Sequence, residues 1–231
     1  MPLPYRGFLF DIDGVLEFHG RPYPGAAEAL AWLRQKGILV SAEEVITASY
    51  ATAEYLRQLQ PRSCWVMLES AGLSEFAGLP QDEDDPEYIV VGDNRSRFDF
   101  DTLNKALRKL MRGTRLIGMT ESLIDYSMGD WELNVGAWVQ MLERASGVKA
   151  TYIGKPHPYG FQLGLRSMGL QPSQAVMVGD QLETDVAGAK AVGMTAILVR
   201  TGEYTLRPAE CEAQPDYTID SVADLPGLWA A

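Results

Sequence analysis

The chain has 231 residues, of which 46% are hydrophobic and 22% are charged, and its formal net charge is −11. This apolar content is enough for a buried core, which excludes a disordered chain, and the lack of a sequence repeat excludes collagen and coiled coil. The acidic excess argues against binding to nucleic acid or to an anionic membrane, because like charges repel. An anionic substrate would therefore need a local source of positive charge.

Neither a signal peptide nor a membrane-spanning helix is predicted. The apolar segment 7–16 is interrupted by Asp11 and Asp13, which excludes both kinds of segment there. Cys64 and Cys211 lie far apart without the spacing of metal ligands, so we expect reduced thiols. These features predict a cytoplasmic protein.

The first part of the chain alternates between strand and helix patterns. Residues 8–10 form a continuous apolar run, typical of a parallel strand buried on both faces. A helical stripe of apolar residues follows over 25–36. Residues 41–44 have the spacing of a capping box, residues 45–46 predict a short strand, and residues 51–59 predict a helix.

The same alternation continues to the end of the chain. Strands are predicted at 64–67, 88–91, 116–118, 152–153, 175–178 and 195–199, and helices at 103–111, 136–145, 161–168 and 186–191. This order is typical of an α/β protein with a Rossmann-like, doubly wound parallel sheet.

Acidic residues follow two of the predicted strands, at the sheet edge where such folds bind ligands. Asp11 and Asp13 end the first strand, and the period of two places both carboxylates on one side; a solvated acidic turn is the alternative. Asp180 ends another apolar strand. Asp185 lies at the next helix start, where a carboxylate also favours the helix by itself. Such carboxylates suit a hard divalent cation such as Mg²⁺.

One lysine lies in a position that favours a role at this edge. Lysines are usually solvated surface charges, but Lys155 follows a predicted strand, and the prolines in residues 154–158 hold its loop extended. Asp11, Asp13 and Asp180 supply three negative charges, which Mg²⁺ and Lys155 together balance. The site would then be near neutral before a phosphate arrives.

Three motifs in this order resemble the haloacid dehalogenase superfamily: Asp-x-Asp-Gly-Val at 11–15, Gly-Lys-Pro-x-Pro at 154–158 and Gly-Asp-x-x-x-Thr-Asp at 179–185. The likeness covers nearly the whole chain. It is greatest to subfamily IIA, the NagD-like and 4-nitrophenylphosphatase-like phosphatases, which have a large α/β cap. The resemblance implies a core domain of residues 1–60 and 148–231 and an inserted cap domain of residues 61–147.

The resemblance also implies a role for each motif residue. Asp11 would attack phosphorus and become an aspartyl phosphate, and Asp13 would act as general acid and then as general base. Lys155 and Gly14 would bind the phosphoryl oxygens. Asp11, the backbone carbonyl of Asp13, and Asp180 would bind Mg²⁺, supported by Asp185.

The implied activity is Mg²⁺-dependent hydrolysis of a small phosphorylated metabolite. The resemblance implies no nucleic-acid or membrane partner, and it implies a homodimer formed through the cap.

The sequence departs from the family pattern after Gly37. Relatives have there a second strand that ends in a hydroxyl residue, followed by another helix, and about 25 to 30 residues are absent here, too many for a change of loop length. Loss of that strand would leave one side of residues 8–10 unpaired, which is costly. We expect residues 45–46 to take its place, or else residues 38–40. In the first arrangement Thr47 supplies the phosphate-binding hydroxyl.

Two other classes of protein stay open from the sequence. A signalling receiver domain also gathers acids and a lysine on a parallel sheet, but it needs no inserted middle region. A catalytically impaired relative would bind phosphate esters or a partner without turnover, and the absent segment favours this alternative.

Overall fold

A computed structural model describes residues 3–38, 45–69, 71–126, 129–206 and 211–229. The described residues form two compact units. The first comprises those within 1–45, 127–129 and 155–231, and the second those within 46–126 and 130–154. In this described part of the chain, no helix is long and apolar enough to cross a membrane.

The predicted α/β alternation is confirmed. The strands are β1 (Gly7–Phe10), β2 (Glu17–Phe18), β3 (Arg21–Pro22), β4 (Cys64–Met67), β5 (Tyr88–Val91), β6 (Arg115–Gly118), β7 (Ile124–Asp125), β8 (Glu132–Leu133), β9 (Ala150–Tyr152), β10 (Ala175–Gly179), β11 (Thr195–Val199) and β12 (Tyr217–Ile219). The helices are α1 (Ala26–Gln35), α2 (Ala48–Leu59), α3 (Phe100–Leu110), α4 (Val135–Ser146), α5 (Pro158–Met168) and α6 (Ala187–Val192).

The sheet of the first unit is parallel throughout, in the order β1-β10-β11-β12. Alternate residues of β10 face opposite sides: Val178 packs in one apolar cluster with Leu33 of α1, and Met177 packs in another with Phe161 of α5. Both faces are thus covered, which explains why β1 and β10 are continuous apolar runs.

An aromatic cluster lies beside β1 at the end of the described chain. The ring of Trp229 contacts those of Tyr5, Phe8 and Tyr217 edge to face, with centroids 5.8, 6.0 and 6.1 Å away. It also stacks with Trp32 at 6.3 Å. The last described residues are therefore packed onto the first unit.

The second unit has its own four-stranded parallel sheet, in the order β4-β5-β6-β9. Ile89 and Val91 of β5 pack with Leu110 of α3 and Leu142 of α4 in one buried cluster. The helix α2 belongs to this unit, and so does β9, the strand just before Lys155. From the sequence, we expected α2 and β9 in the core domain, with domain boundaries after residues 60 and 147. The two units of the structure are divided at different residues.

The strand predicted at residues 45–46 is wrong, because neither residue is extended into a sheet. Thr47 is instead the N-cap of α2, and its Oγ1 accepts a hydrogen bond from the backbone N–H of Tyr50 at 3.0 Å. The helix-capping preference of threonine outweighs the two β-branched residues before it. Among the described residues, β1 pairs with β10 only. The predicted capping box at 41–44, and residues 39–40 of the other candidate strand, lie outside the described residues.

Candidate active site

Two aspartates lie at the carboxyl ends of neighbouring strands. Asp11 directly follows β1, and its backbone N–H donates to the carbonyl of Val178 at 2.9 Å, continuing the pairing with β10. Asp180 directly follows β10, and only 1% of its surface is exposed. The parallel pairing therefore brings the two carboxylates to one edge of the sheet, as the sequence predicted.

A third carboxylate joins them from the following turn. Asp185 is fully buried in the π-helical turn Leu182–Val186, and one carboxylate oxygen each from Asp11, Asp180 and Asp185 lies within 4.8 Å of the others. A Cβ on Gly179 would lie 2.2 Å from the Cβ of Asp185. The close approach of Asp185 thus requires glycine at position 179.

Lys155 bridges two of these carboxylates. Its Nζ lies 2.6 Å from Oδ1 of Asp185 and 2.9 Å from Oδ1 of Asp11. Burial disfavours the ammonium, but the charges of Asp185 and Asp11 outweigh it and raise the pKa of Lys155 above its ordinary value. Lys155 therefore stays charged at physiological pH. From the sequence, we expected Asp185 to support the metal ligands. In the structure, its carboxylate pairs with the ammonium of Lys155.

Asp180 is held by one oxygen only. Its Oδ2 accepts a hydrogen bond from the backbone N–H of Glu203 at 2.7 Å, whereas its buried Oδ1 has no hydrogen-bond partner among the described residues. Burial, followed by the charges of Asp185 and Asp11, raises the pKa of Asp180 to about 8. Burial also raises the pKa of Asp185, although Lys155 opposes this change.

These observations fit a divalent cation. Among the residues that the structure describes, the three converging carboxylates face one lysine, so the site carries uncompensated negative charge. A buried carboxylate oxygen without a partner is costly unless it binds something. Hard oxygen donors of this kind are the ligands that Mg²⁺ prefers. Asp11 and Asp180 would hold the ion.

Asp13 lies in a different setting from the buried acids. Asp13 is exposed, and its backbone forms an isolated β-bridge with Glu17 in the turn after β1. The carboxylate of Asp13 is not one of the three that converge. The participation of its backbone carbonyl in metal binding stays a prediction.

Two glycines enclose the carboxylate of Asp180. Gly14 and Gly202 have φ angles of +84° and +56°, and a Cβ on either would lie 2.3 or 2.2 Å from Oδ2 of Asp180. The sequence motif contains Gly14, but no signal in the sequence marked residues 201–203. Their contribution depends on contacts between segments far apart along the chain.

Thr47 belongs to the second unit, where its hydroxyl caps α2. The role of Thr47 as a phosphate ligand was predicted from a strand at residues 45–46, which the structure does not contain. That role stays a prediction.

The comparisons with known proteins agree with this geometry. The HAD-hydrolase-like family profile matches residues 152–225. Haloacid dehalogenase-like hydrolase domain-containing protein 2 of Pongo abelii is 32% identical, over 92% of this chain and 90% of the relative. A phospholysine phosphohistidine inorganic pyrophosphate phosphatase of Mus musculus is 32% identical, over 95% and 92%.

Two solved structures show the same fold. A p-nitrophenyl phosphatase from Archaeoglobus fulgidus superposes with a TM-score of 0.87 at 27% identity, covering 97% of this chain and 99% of that one. NagD from E. coli K-12 has a TM-score of 0.81 at 27% identity, covering 95% and 98%. The chain belongs to the haloacid dehalogenase-like hydrolase family. The predicted family and its Rossmann-like α/β fold are confirmed.

Proposed function

We propose that this chain is a phosphatase that hydrolyses phosphomonoesters of small metabolites with Mg²⁺, through an aspartyl phosphate on Asp11. The observation that carries the proposal is the buried Asp180, which lies next to Asp11 and Asp185 and whose Oδ1 has no hydrogen-bond partner in the described part of the chain. The phosphatases among the related proteins support phosphatase activity in general.

Each residue of the site has a defined task in this reaction. The carboxylate of Asp11 attacks phosphorus as the bond from phosphorus to the leaving oxygen breaks, and Asp13 protonates that oxygen. Asp13 then takes a proton from the water that hydrolyses the aspartyl phosphate, releasing inorganic phosphate. Asp11 and Asp180 would hold Mg²⁺, which would supply positive charge to stabilise the phosphoryl group during transfer.

Lys155 supplies the positive charge of the chain itself. Its contact with Oδ1 of Asp11 at 2.9 Å places the ammonium next to the oxygen that would accept the phosphoryl group. Asp185 holds this lysine in position at 2.6 Å. Gly14 completes the phosphate ligands that we propose within the first unit.

Hydrolysis of 4-nitrophenyl phosphate tests the proposal. We expect repeated turnover with Mg²⁺, none after chelation with EDTA, and much slower turnover with Ca²⁺, because its looser coordination would misplace the nucleophile. Binding of the ester without turnover would support the impaired relative, which the absent segment after Gly37 favours. Incorporation of a single phosphate without turnover would contradict the proposed hydrolysis of the aspartyl phosphate.

We further propose that residues 61–147 act as a cap and that two copies pair through it in the cytoplasm. Exposed apolar side chains in and beside the hairpin of β7 and β8 support the pairing: Leu123, Ile124, Trp131 and Leu133. Sedimentation velocity should show a dimer in the parent and a monomer in Leu133→Asp. A monomeric parent would refute the pairing.

A further inference from the structure

We infer that Thr201 and Tyr23 are positioning residues, which clamp the segment after β11 onto the loop after β1 and so fix the orientation of Asp180. This inference deepens the proposed function and rests on it. It is carried by three hydrogen bonds that successive residues make to three separate parts of the first unit.

The segment 201–203 makes one such contact from each of its residues. The hydroxyl of Thr201 donates to the backbone carbonyl of Gly14. The N–H of Gly202 donates to the hydroxyl of Tyr23 at 3.0 Å, and the N–H of Glu203 donates to Oδ2 of Asp180 at 2.7 Å. The same short segment therefore binds the loop of the predicted nucleophile, Tyr23 in the segment between β3 and α1, and the buried carboxylate.

The contacts leave no space between the two loops. A Cβ on Gly202 would lie 2.4 Å from the Cα of Gly14, so the two backbones are in direct contact. Oδ2 of Asp180 is enclosed between them and bonded to Glu203. Its rotation is thereby restricted, and Oδ1 is the oxygen left to bind a cation. A ligand held in its binding orientation before the ion arrives loses less entropy on binding.

Tyr23 connects this clamp to the hairpin of β2 and β3, which follows the loop after β1. Its backbone N–H donates to the carbonyl of Leu16 at 2.9 Å, and its ring stacks on Phe18 of β2 with a centroid distance of 6.3 Å. The hydroxyl then accepts the bond from Gly202. One side chain thus joins the hairpin of β2 and β3 to the segment that holds Asp180.

The opposite end of β11 provides a matched control. There the hydroxyl of Thr195 donates to the hydroxyl of Tyr5 at 3.2 Å. This threonine and tyrosine pair lies at the amino end of the strand, whereas Asp11 and Asp180 follow the carboxyl ends of the parallel strands β1 and β10. At either end of β11, replacing the threonine by valine or the tyrosine by phenylalanine removes a hydroxyl hydrogen bond within the first unit.

The experiment measures Mg²⁺ affinity by calorimetry on the full chain without substrate, with kcat and KM for 4-nitrophenyl phosphate as second readouts. Loss of one hydrogen bond predicts that Thr201→Val and Tyr23→Phe each weaken Mg²⁺ binding by about two- to tenfold. Thr201→Ser should restore parental affinity. Thr195→Val and Tyr5→Phe should leave it unchanged, even where they lower the Tm of the metal-free protein equally.

Parental Mg²⁺ affinity in both Thr201→Val and Tyr23→Phe would overturn the inference. So would a loss in Thr201→Val that serine does not restore, or an equal loss in Thr195→Val, since either would indicate a general effect on stability. If Thr201→Val fails to fold, Tyr23→Phe decides, because it keeps the ring that packs on Phe18. A parent that binds Mg²⁺ and hydrolyses the ester, with unaffected variants, refutes only the clamp. A parent that does neither refutes the proposed function and the clamp with it.

Discussion

The two units contain sheets of the same design with different chemistry at their carboxyl ends. Each sheet has four parallel strands. In the second unit, Arg95 pairs with Asp93 at 3.1 Å and with Glu132 at 2.7 Å, and Glu69 accepts a hydrogen bond from Ser96. These three acidic residues are thus neutralised or hydrogen-bonded within the unit.

The first unit leaves its acidic residues incompletely neutralised. Asp11, Asp180 and Asp185 share one lysine, and one buried oxygen of Asp180 has no partner among the described residues. The parallel sheet by itself therefore does not create a site. The difference lies in whether the charges at the strand ends are satisfied without a ligand, and raised carboxyl pKa values mark the edge where they are not.

The largest expected effect is the loss of activity in Asp11→Asn. The amide keeps the shape of the side chain but cannot form the acyl phosphate, so kcat for 4-nitrophenyl phosphate should fall by about 10³-fold or more. Asp93→Asn, at the corresponding edge of the second sheet, should stay within about twofold of the parent. Near-parental turnover in Asp11→Asn would refute the covalent mechanism.

Lys155→Met should cost both activity and stability. It leaves the fully buried Asp185 without its cation, which predicts a loss of about 2–4 kcal/mol in the free energy of unfolding, measured by urea denaturation. The control is Lys190→Met, which breaks an exposed pair with Asp216 and should cost less than about 1 kcal/mol. Equal losses in the two variants would contradict the special position of Lys155.

The stability of the metal-free protein should fall as pH rises from about 4 to about 8. The pKa of Asp180 is raised by burial and by its acidic neighbours from an ordinary 3.8 to about 8 in the folded state, which therefore keeps a proton that the unfolded chain releases. Asp180→Asn should remove a slope of up to about 1.4 kcal/mol per pH unit. Urea midpoints at pH 5, 7 and 9 in EDTA measure it. If the urea midpoints of parent and variant changed with pH in the same way, the pKa of Asp180 would not be raised.

An acidic residue of the second unit, Asp99, has the opposite effect on how stability changes with pH. The N–H of Thr102 donates to Asp99, the N-cap of α3, and lowers the pKa of its carboxyl below the ordinary 3.8. Its contribution is present above pH 3.8 and lost as pH falls through the lowered pKa. Asp99→Ala should therefore reduce the Tm at pH 7 and make less difference near pH 2. An Asp99→Ala effect that grows on acidification would contradict this assignment.

The smallest expected effect is that of Glu132→Gln. Its ion pair with Arg95 is exposed, so the loss should be below about 1 kcal/mol, should vanish at high salt, and should leave kcat within about twofold. A larger loss, or a large change in kcat, would show that this edge also carries function and would end the contrast between the two sheets.

The sequence predicted the strand and helix order and the convergence of Asp11 with Asp180, because both residues directly follow apolar runs. It could not predict the strand pairing after Gly37. Two β-branched residues are too short a signal, and Thr47 favours a helix cap. The segment 201–203 was missed for a different reason: its contacts to Gly14 and Asp180 are tertiary, and neither periodicity nor a motif encodes them.

The packing of Trp229 has a spectroscopic consequence. Of the five tryptophans, Trp32 and Trp229 lie in the first unit, stacked with an interplanar angle of 12°. The remaining three lie in the second unit: Trp65, Trp131 and Trp138. Coupling between the two stacked indoles should give the first unit its own near-ultraviolet circular dichroism band. That band would disappear in Trp229→Phe. In the parent, its loss during denaturation would report the unfolding of the first unit, which contains the three carboxylates, separately from the unfolding of the second unit.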